Sequence, residues 1–318
     1  MNEITVVVPN YNGIKFVEDC FQALYKEQTQ MKFDMILVDN GSKDGSRELI
    51  ERKYKDVRVI PLGKNTGFCK AVNVGIKAAV TPYVILLNND TKVCKGFIKG
   101  LYETIRKDSH IFSVSSMMIQ DNCRTMIDDA GDFYCSLGWA FANGKDKSID
   151  DYEESYEITA ACAGAAIYRK SVFEQIGYFD EAHFAYLEDV DVGIRSKLYG
   201  YKNLYEPKAR VYHIGSGASG SRYNEFKIKN SSRNSIYIIR KNFPLVMKIL
   251  NLPFLMAGFA VKFVFFIHLG FGKEYLKGLC KGLTMPLKDK KVRFLKKHWK
   301  NYVRFQLELW SNMGKRLK

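Results

Sequence analysis

Ile4-Thr5-Val6-Val7-Val8-Pro9-Asn10-Tyr11-Asn12-Gly13 is the stretch whose reading decides the fold. Its first five residues are β-branched, with no polar alternation, which predicts a strand buried on both faces. The residues that follow are turn formers and hydrogen-bonding side chains. The same phrase recurs downstream. Met35–Val38 leads into Asp39-Asn40-Gly41-Ser42, and Tyr83–Leu87 leads into Asn88-Asn89-Asp90-Thr91. Val57–Ile60 forms a further run, and the helical segments Ile14–Tyr25, Ser46–Tyr54 and Gly67–Ala79 lie between the runs. This alternation predicts βαβ units, an α/β chain with a mostly parallel sheet and helices on both faces. In such a sheet ligands bind just beyond the carboxyl ends of the strands. Three strands deliver polar clusters to that edge, so one shared site is expected there.

Beyond this half the pattern changes. Residues 109–215 read as mixed α+β, with a small-residue run from Ala160 to Ala166 and a helix from about Glu188 to Tyr199, ending at Gly200. Val190, Ile194 and Leu198 give that helix an apolar face. The last hundred residues are basic and helical in character. With 318 residues, 47% of them hydrophobic and 14% aromatic, the chain is excluded from the disordered class and is long enough for two domains. Seven cysteines without a CxxC pair exclude a disulfide scaffold or a zinc finger and fit a reducing interior. Met1 to Val8 runs straight into a strand, so no signal peptide is expected.

The net charge of +15 is concentrated at one end. Ser221 to Lys318 carries 22 Lys+Arg against 4 Asp+Glu, while the first 220 residues carry 27 against 30. A near-neutral body with a strongly basic tail suggests a polyanionic surface, phospholipid or nucleic acid. The tail aromatics cluster with aliphatics and form no spaced stacking platform, so nucleic acid is not the expected partner. Leu245 to Phe271 is apolar but interrupted by Lys248, Pro253, Lys262 and His268, which reads as interfacial rather than spanning. Phe254–Ala260 and Phe263–Ile267 alternate with lysines, and Lys288, Lys290, Lys291, Arg293, Lys296 and Lys297 follow. Basic amphipathic helices of this kind lie in the headgroup plane of anionic membranes; packing or dimerisation through these helices is the other reading.

Each polar cluster has a chemical and a plainer reading. Asp39 can accept from the imide N–H of uracil or thymine, or can close an Asx-turn before Ser46. Lys64 and Asn65-Thr66-Gly67 open a helix whose N-terminus suits phosphate, or is simply a helix start; no GxGxxG follows the first strand, which argues against a dinucleotide cofactor. Asn88-Asn89-Asp90 suits a hard cation that shares a diphosphate, or forms another turn. Glu188-Asp189-Val190-Asp191 offers a general base behind an aromatic run from Phe179 to Tyr186, or only helix-start acids. His213 could complete a metal site with Asp90, or be hydrogen-bonded near the core.

Together these segments resemble the family 2 glycosyltransferases of GT-A fold, particularly the bacterial rhamnosyltransferase-like branch. The matching text is Val6–Gly13, Val38–Ser46, Asn65–Phe68 with Ala71 and Asn73, Leu86–Thr91, Gly164-Ala165, Phe179–Glu181 with Glu188–Asp191, and His213. The resemblance implies a GT-A domain over 1–220, with a nucleotide-sugar half at 1–108 and an acceptor half at 109–220, followed by a basic helical membrane-associating region at 221–318. It implies that Pro9, Tyr11 and Asp39 hold the donor nucleoside, with Asn10, Lys64, Asn65, Gly67, Asn73, Asn88 and Asn89 on the donor side. Asp90 and His213 would bind Mg²⁺ or Mn²⁺, and Asp189 would be the base, with Gly164, Ala165, Glu188 and Asp191 on the acceptor side. Asn88 departs from the family motif, which has an acid there. The implied reaction is inverting transfer, most simply of L-rhamnose from dTDP-rhamnose, with a UDP-hexose or UDP-N-acetylhexosamine donor as the alternative. The implied acceptor is a lipid-linked saccharide of bacterial surface polysaccharide, met at the cytoplasmic face of the membrane by a peripheral enzyme.

Overall fold

The computed structural model describes residues 2–215, 223–287 and 294–317; the basic group Lys288, Lys290, Lys291 and Arg293 lies outside them. In chain order the first half holds β1 (Ile4–Asn10), α1 (Val17–Glu27), β2 (Asp34–Asp39), α2 (Ser46–Lys53), β3 (Arg58–Pro61), α3 (Phe68–Ala78), β4 (Tyr83–Leu87), β5 (Thr91–Val93) and α4 (Phe97–Arg106). The second holds β6 (Ile111–Gln120), β7 (Ile127–Asp129), β8 (Asp132–Tyr134), β9 (Ala140–Ala142), β10 (Tyr156–Ile158), β11 (Ala165–Arg169), α5 (Lys170–Ile176), α6 (Glu188–Leu198) and β12 (Lys202–His213). Four helices follow, α7 (Glu225–Asn242), α8 (Leu245–His268), α9 (Gly272–Thr284) and α10 (Trp299–Leu317).

The main sheet runs β10-β12-β6-β11-β4-β1-β2-β3, with β5 on β12 and β7 on β6. β1 is parallel to both β2 and β4. The runs that lacked polar alternation are buried on both faces, as the sequence predicts. Val7, Val38 and Leu86 pack into the layer with α3, and Val6, Val8, Leu37 and Leu87 into the layer with α1 and α4. Each such side chain contributes about 1.5–3 kcal/mol by leaving water.

Register is what brings the polar clusters together. Asn10 lies opposite Asp39, so β1 and β2 end level. β11 runs antiparallel to β4 with Ala165 opposite Leu87, which returns residues 162–164 to the same edge. β12 runs parallel to β6, and its last residue, His213, pairs with Thr91 of β5, one residue after Asp90. The sheet is thus parallel over β3-β2-β1-β4 and mixed beyond.

The C-terminal region differs from the sequence expectation at α8. Lys248, Pro253, Lys262 and His268 do not interrupt it: it is one helix of 24 residues. Among the described residues it alone is long and apolar enough, by length and composition, to cross a membrane. Pro253 is exposed, and the N–H it lacks would serve only the Ile249 carbonyl. Met247, Asn251, Leu255 and Gly258 form its buried stripe. Asn251 and Gln306 of α10 exchange amide hydrogen bonds of 2.7 and 3.0 Å, and Trp139 donates its indole N–H to the Gly258 carbonyl at 3.0 Å. One face of α8 is therefore fastened along the body of the protein, and the other is open.

Candidate active site

Asn10 is the hub of the first three strand ends. Its amide donates to Asp39 Oδ1 (3.3 Å), Ser42 Oγ (3.1 Å) and Ser46 Oγ (2.8 Å), and its Oδ1 accepts from Asn89 Nδ2 at 2.7 Å. Gly13 is required beside this junction, because a Cβ there would sit 2.1 Å from Asn89 Nδ2. Asp39 makes the Asx-turn: the N–H groups of Gly41 and Ser42 donate to Oδ2 at 3.3 and 3.2 Å, and the residue is 2% exposed. Pro9 is half-buried and Tyr11 is exposed at the rim of this edge. Asn40, which sequence reading did not single out, ties β2 to the next loop by accepting from Thr66 N (2.8 Å) and Thr66 Oγ1 (2.9 Å).

Residues 64–67 do lead into a helix, α3, and it is their phosphate reading that is corrected in part. The N–H groups of Phe68 and Cys69 donate to the Phe184 carbonyl at 2.8 and 3.4 Å, so the first amides of α3 are already engaged. Lys64 and Asn65 are exposed, and Asn65 Oδ1 accepts from Gly67 N at 3.0 Å. Gly67 lets Phe184 come close, since a Cβ would be 2.8 Å from its carbonyl oxygen. Asn73 also differs from its donor-side expectation. It is buried and satisfies both backbone groups of Phe179, at 2.8 and 3.1 Å.

Asp90 and His213 meet as the sequence suggests. His213 Nε2 lies 3.4 Å from Asp90 Oδ1, and its Nδ1 lies 2.6 Å from Asp128 Oδ2. Burial disfavours the imidazolium, yet the hydrogen bond to Asp128 and then the one to Asp90 outweigh it and hold His213 at about 9. Burial likewise opposes the Asp128 charge, but His213 and Lys145 lower it to about 2. With the His213 ring deprotonated, Asp90 and His213 would offer a carboxylate oxygen and an imidazole nitrogen to one divalent cation, the second nitrogen fixed by Asp128. The residues present fit Mg²⁺ or Mn²⁺.

Asp189 is tied to the Asp90 strand end through the backbone of the 162–165 turn. It is part-buried, accepts from Val190 N at 2.8 Å and from the Ala163 backbone, and burial raises its carboxyl above the usual range. Glu188 is 8% exposed, its Oε2 has no hydrogen-bond partner among the described residues, and burial followed by the Asp189 charge pushes it up to about 8. The two halves join through the 162–165 turn. Gly164 accepts from Asn88 N at 2.8 Å, a Cβ on it would be 3.0 Å from Asn88 Nδ2, and Ala165 is buried opposite Leu87. Asp128 and Asp189 both act electrostatically on Asp129. Contacts thus pass from Asp39 through Asn10, Asn89 and Asp90 to His213 and Asp128, and return from Asp189 through Ala163 and Gly164 to Asn88.

Three acids were missed by sequence reading. Asp128 orients His213. Asp129 and Asp132 lie with Cys162 so that their ligand atoms are within 4.8 Å of one another. Burial pushes Asp129 up to about 7, and burial then Asp129 raises Asp132 well above its usual range. The only sequence signal was three acids within Asp128–Asp132, away from any helix start.

Asp191 is not on the open side. It is fully buried, with Arg195 Nε at 3.1 Å and Lys241 Nζ at 2.8 Å on Oδ2, and Asn242 Nδ2 at 2.8 Å on Oδ1. Although burial opposes its charge, Lys241 and Arg195 hold its carboxyl far below the usual range. It fastens α6 to α7. The same helix grips the loop before Asp189. Asn234 Nδ2 donates to the carbonyls of His183 (3.2 Å), Ala185 (3.0 Å) and Tyr186 (2.7 Å), and Arg233 adds a 2.6 Å bond to His183. Phe184, Tyr186 and Leu187 all have left-handed backbones, at φ 61°, 71° and 64°. Such residues cost about 1–2 kcal/mol each and persist only where surroundings impose them.

This fold and site define a glycosyltransferase of GT-A type. The sequence of glycosyl transferase family 2 matches residues 5–177, more than half of the chain, and the protein belongs to that family. It is 27% identical over 228 residues to an N-acetylglucosaminyl-diphospho-decaprenol L-rhamnosyltransferase of Mycobacterium tuberculosis, covering 63% of this chain and 72% of that one. Among solved structures it resembles GalNAc-T7 with UDP, GalNAc and Mn²⁺ (TM-score 0.62, 18% identity, covering 76% of this chain and 48% of that one). It also resembles a Pyrobaculum calidifontis mannosyltransferase with GDP-Man and Mn²⁺ (TM-score 0.55, 14% identity, covering 96% and 87%).

Proposed function

We propose that the protein is an inverting, divalent-cation-dependent transferase that moves L-rhamnose from dTDP-rhamnose to a hydroxyl of a lipid-linked saccharide. The observation that carries this reading is the Asp90–His213–Asp128 chain at the strand ends, tied through the 162–165 turn to the part-buried Asp189. The sugar and the lipid-borne acceptor are supported by the name of the mycobacterial relative.

Asp189 would accept the proton of the acceptor hydroxyl as its oxygen bonds to the anomeric carbon and the bond from that carbon to the diphosphate oxygen breaks. Both electrons of that bond leave with the nucleoside diphosphate. Its raised affinity for protons suits a base acting near neutral pH. A bound Mg²⁺ or Mn²⁺, held by Asp90 and His213, would supply positive charge for the departing diphosphate. Asp128 keeps the His213 ring oriented, and Asn10 and Asn89 hold the strand ends in register. A covalent glycosyl-enzyme would need a second carboxylate against the other face of the anomeric carbon, and protonated Glu188 is unsuited to that.

The open apolar face of α8 and the basic charge of residues 221–318 support a peripheral enzyme on the anionic, cytoplasmic face of the membrane. The test is a panel of dTDP-, UDP- and GDP-sugars with purified protein, with and without Mn²⁺. Release of dTDP from dTDP-rhamnose only in the presence of the cation supports the reading. Preference for a UDP-hexose or UDP-N-acetylhexosamine would move the donor assignment to the alternative.

A further inference from the structure

Phe226 lies in the first turn of α7 and is 49% exposed, although its side chain is large and aromatic. Its ring meets those of Phe184 and Tyr186, with centroids 6.1 and 6.0 Å away and interplanar angles of 80° and 66°. Neither ring stacks on Phe226, and both are themselves only half-buried. Three contiguous rings left partly open to water differ from the apolar residues that are scattered singly over any surface.

The arrangement is imposed by the fold. Phe184 and Tyr186 have left-handed backbones, an unusual conformation for bulky residues, and strain of this kind collects at binding and active sites. Phe226 stands seven and eight residues before Arg233 and Asn234, hence on the same face of α7. Those two residues bond the carbonyls of His183, Ala185 and Tyr186. One helix face thus grips the loop by its backbone and touches its rings at the N-terminal end. Phe184 is backed by the turn before α3, since a Cβ on Gly67 would be 2.7 Å from its Cδ2.

The neighbours of the group place it at the site. Tyr186 is three residues before Asp189. Lys227, next to Phe226, feels the charge of Lys145, which pairs with Asp128. The first turn of α7 is therefore within reach of both the loop that leads to the base and the Asp128–His213 pair. An aromatic face is apolar and electron-rich, and a pyranose can lay a face of C–H groups on it while its hydroxyls point outward from the rim.

We propose that Phe226 and Tyr186 form a stacking surface for a sugar ring of the acceptor saccharide, with Phe184 as the ring that supports them. This rests on the reading above that Asp189 is the base, because the base must meet the acceptor hydroxyl and Tyr186 belongs to the loop that carries it.

The test uses the full chain with dTDP-rhamnose and, as acceptor probe, N-acetylglucosamine on a short alkyl diphosphate. Saturation-transfer NMR should place the ring C–H protons of the probe against aromatic protons of the wild type, and Phe226→Ala should remove most of that signal. Phe226→Ala should raise the acceptor KM about tenfold, equivalent to 1.4 kcal/mol, with the donor KM within about twofold. Phe226→Tyr should restore the acceptor KM, and Phe226→Leu, which keeps apolar bulk without an aromatic face, should not; these two carry the test if the alanine variant does not fold. Full recovery in Phe226→Leu would overturn the proposal in favour of simple packing. A donor KM that rises in step with the acceptor KM would overturn it in favour of the donor sugar. A fall in kcat at unchanged acceptor KM would overturn it by making Phe226 a support for the loop. Probe binding that depends on the Phe226 ring, in a protein that transfers no sugar, would sink the functional reading alone. Transfer with an acceptor KM indifferent to Phe226 would sink the stacking surface alone.

Discussion

Replacing Asn234 by Leu should uncouple the loop that carries the base from the helix that holds it. The side chain is fully buried, and Leu keeps the number and branching of its heavy atoms, so the change chiefly removes hydrogen bonds. One amide has two N–H groups, shared among three carbonyls. The His183 carbonyl keeps Arg233, leaving those of Ala185 and Tyr186 without their donor. Orphaned acceptors cost about 1–3 kcal/mol each when fully buried, and these two are part-buried, so a stability loss of about 2 kcal/mol is expected. The left-handed residues Phe184, Tyr186 and Leu187 would then relax, because the strain of about 1–2 kcal/mol at each is no longer opposed. A displacement of about 1 Å at Asp189 would reduce kcat on the order of 100-fold. Steady-state transfer with donor binding by calorimetry reads this out: kcat should fall while donor affinity stays within about twofold, well under the tenfold that 1.4 kcal/mol gives. A variant that loses stability but keeps its kcat would show that α7 supports the fold and not the base, refuting the reasoning. If Asn234→Leu does not fold, Arg233→Gln offers a milder release of the same loop.

Other expectations follow from the same geometry. Asp128→Asn removes the charged partner of His213 Nδ1 and should weaken Mn²⁺ binding by about 10–100-fold, read by metal titration of donor hydrolysis; EDTA should abolish that activity. Glu188 is pushed up to about 8 in the fold, against about 4.3 when unfolded, so the fold prefers its protonated form. Wild-type stability should therefore decline as pH rises from about 4 to 8, and the Tm advantage of Glu188→Gln should widen from about pH 5 to pH 8; a constant gap would contradict this. Ile249→Asp with Met256→Asp places charge on the open face of α8, where these residues are 61% and 67% exposed, and should reduce flotation with anionic vesicles without lowering Tm.

The parallel half of the sheet was legible because three apolar runs each ended in a polar cluster, and a parallel register must bring such ends together. Asp90 and His213 were legible for the same reason, both being strand-end residues. What could not be read was non-local. The carbonyl that engages the start of α3 comes from Phe184, far along the chain, and no local pattern signals it. Asp191 and Asp189 look alike in sequence as helix-start acids; only the packing of α7 commits one to Lys241 and Arg195 and leaves the other part-buried on the backbone of Val190 and Ala163. Asp128, Asp129 and Asp132 sit on or beside strands of three residues, too short for any periodicity. Pro253 reads as a break in α8, yet it is exposed and the helix continues past it.

The central claim is that one carboxylate takes the acceptor proton while a separate cluster holds the donor. Asp189→Asn keeps the shape and the hydrogen bond from Val190 but cannot accept a proton at neutral pH. Measured side by side, its turnover should fall at least about 1,000-fold, near 4 kcal/mol of barrier, with cation-dependent donor binding retained. Transfer at the wild-type rate by this variant would contradict the account.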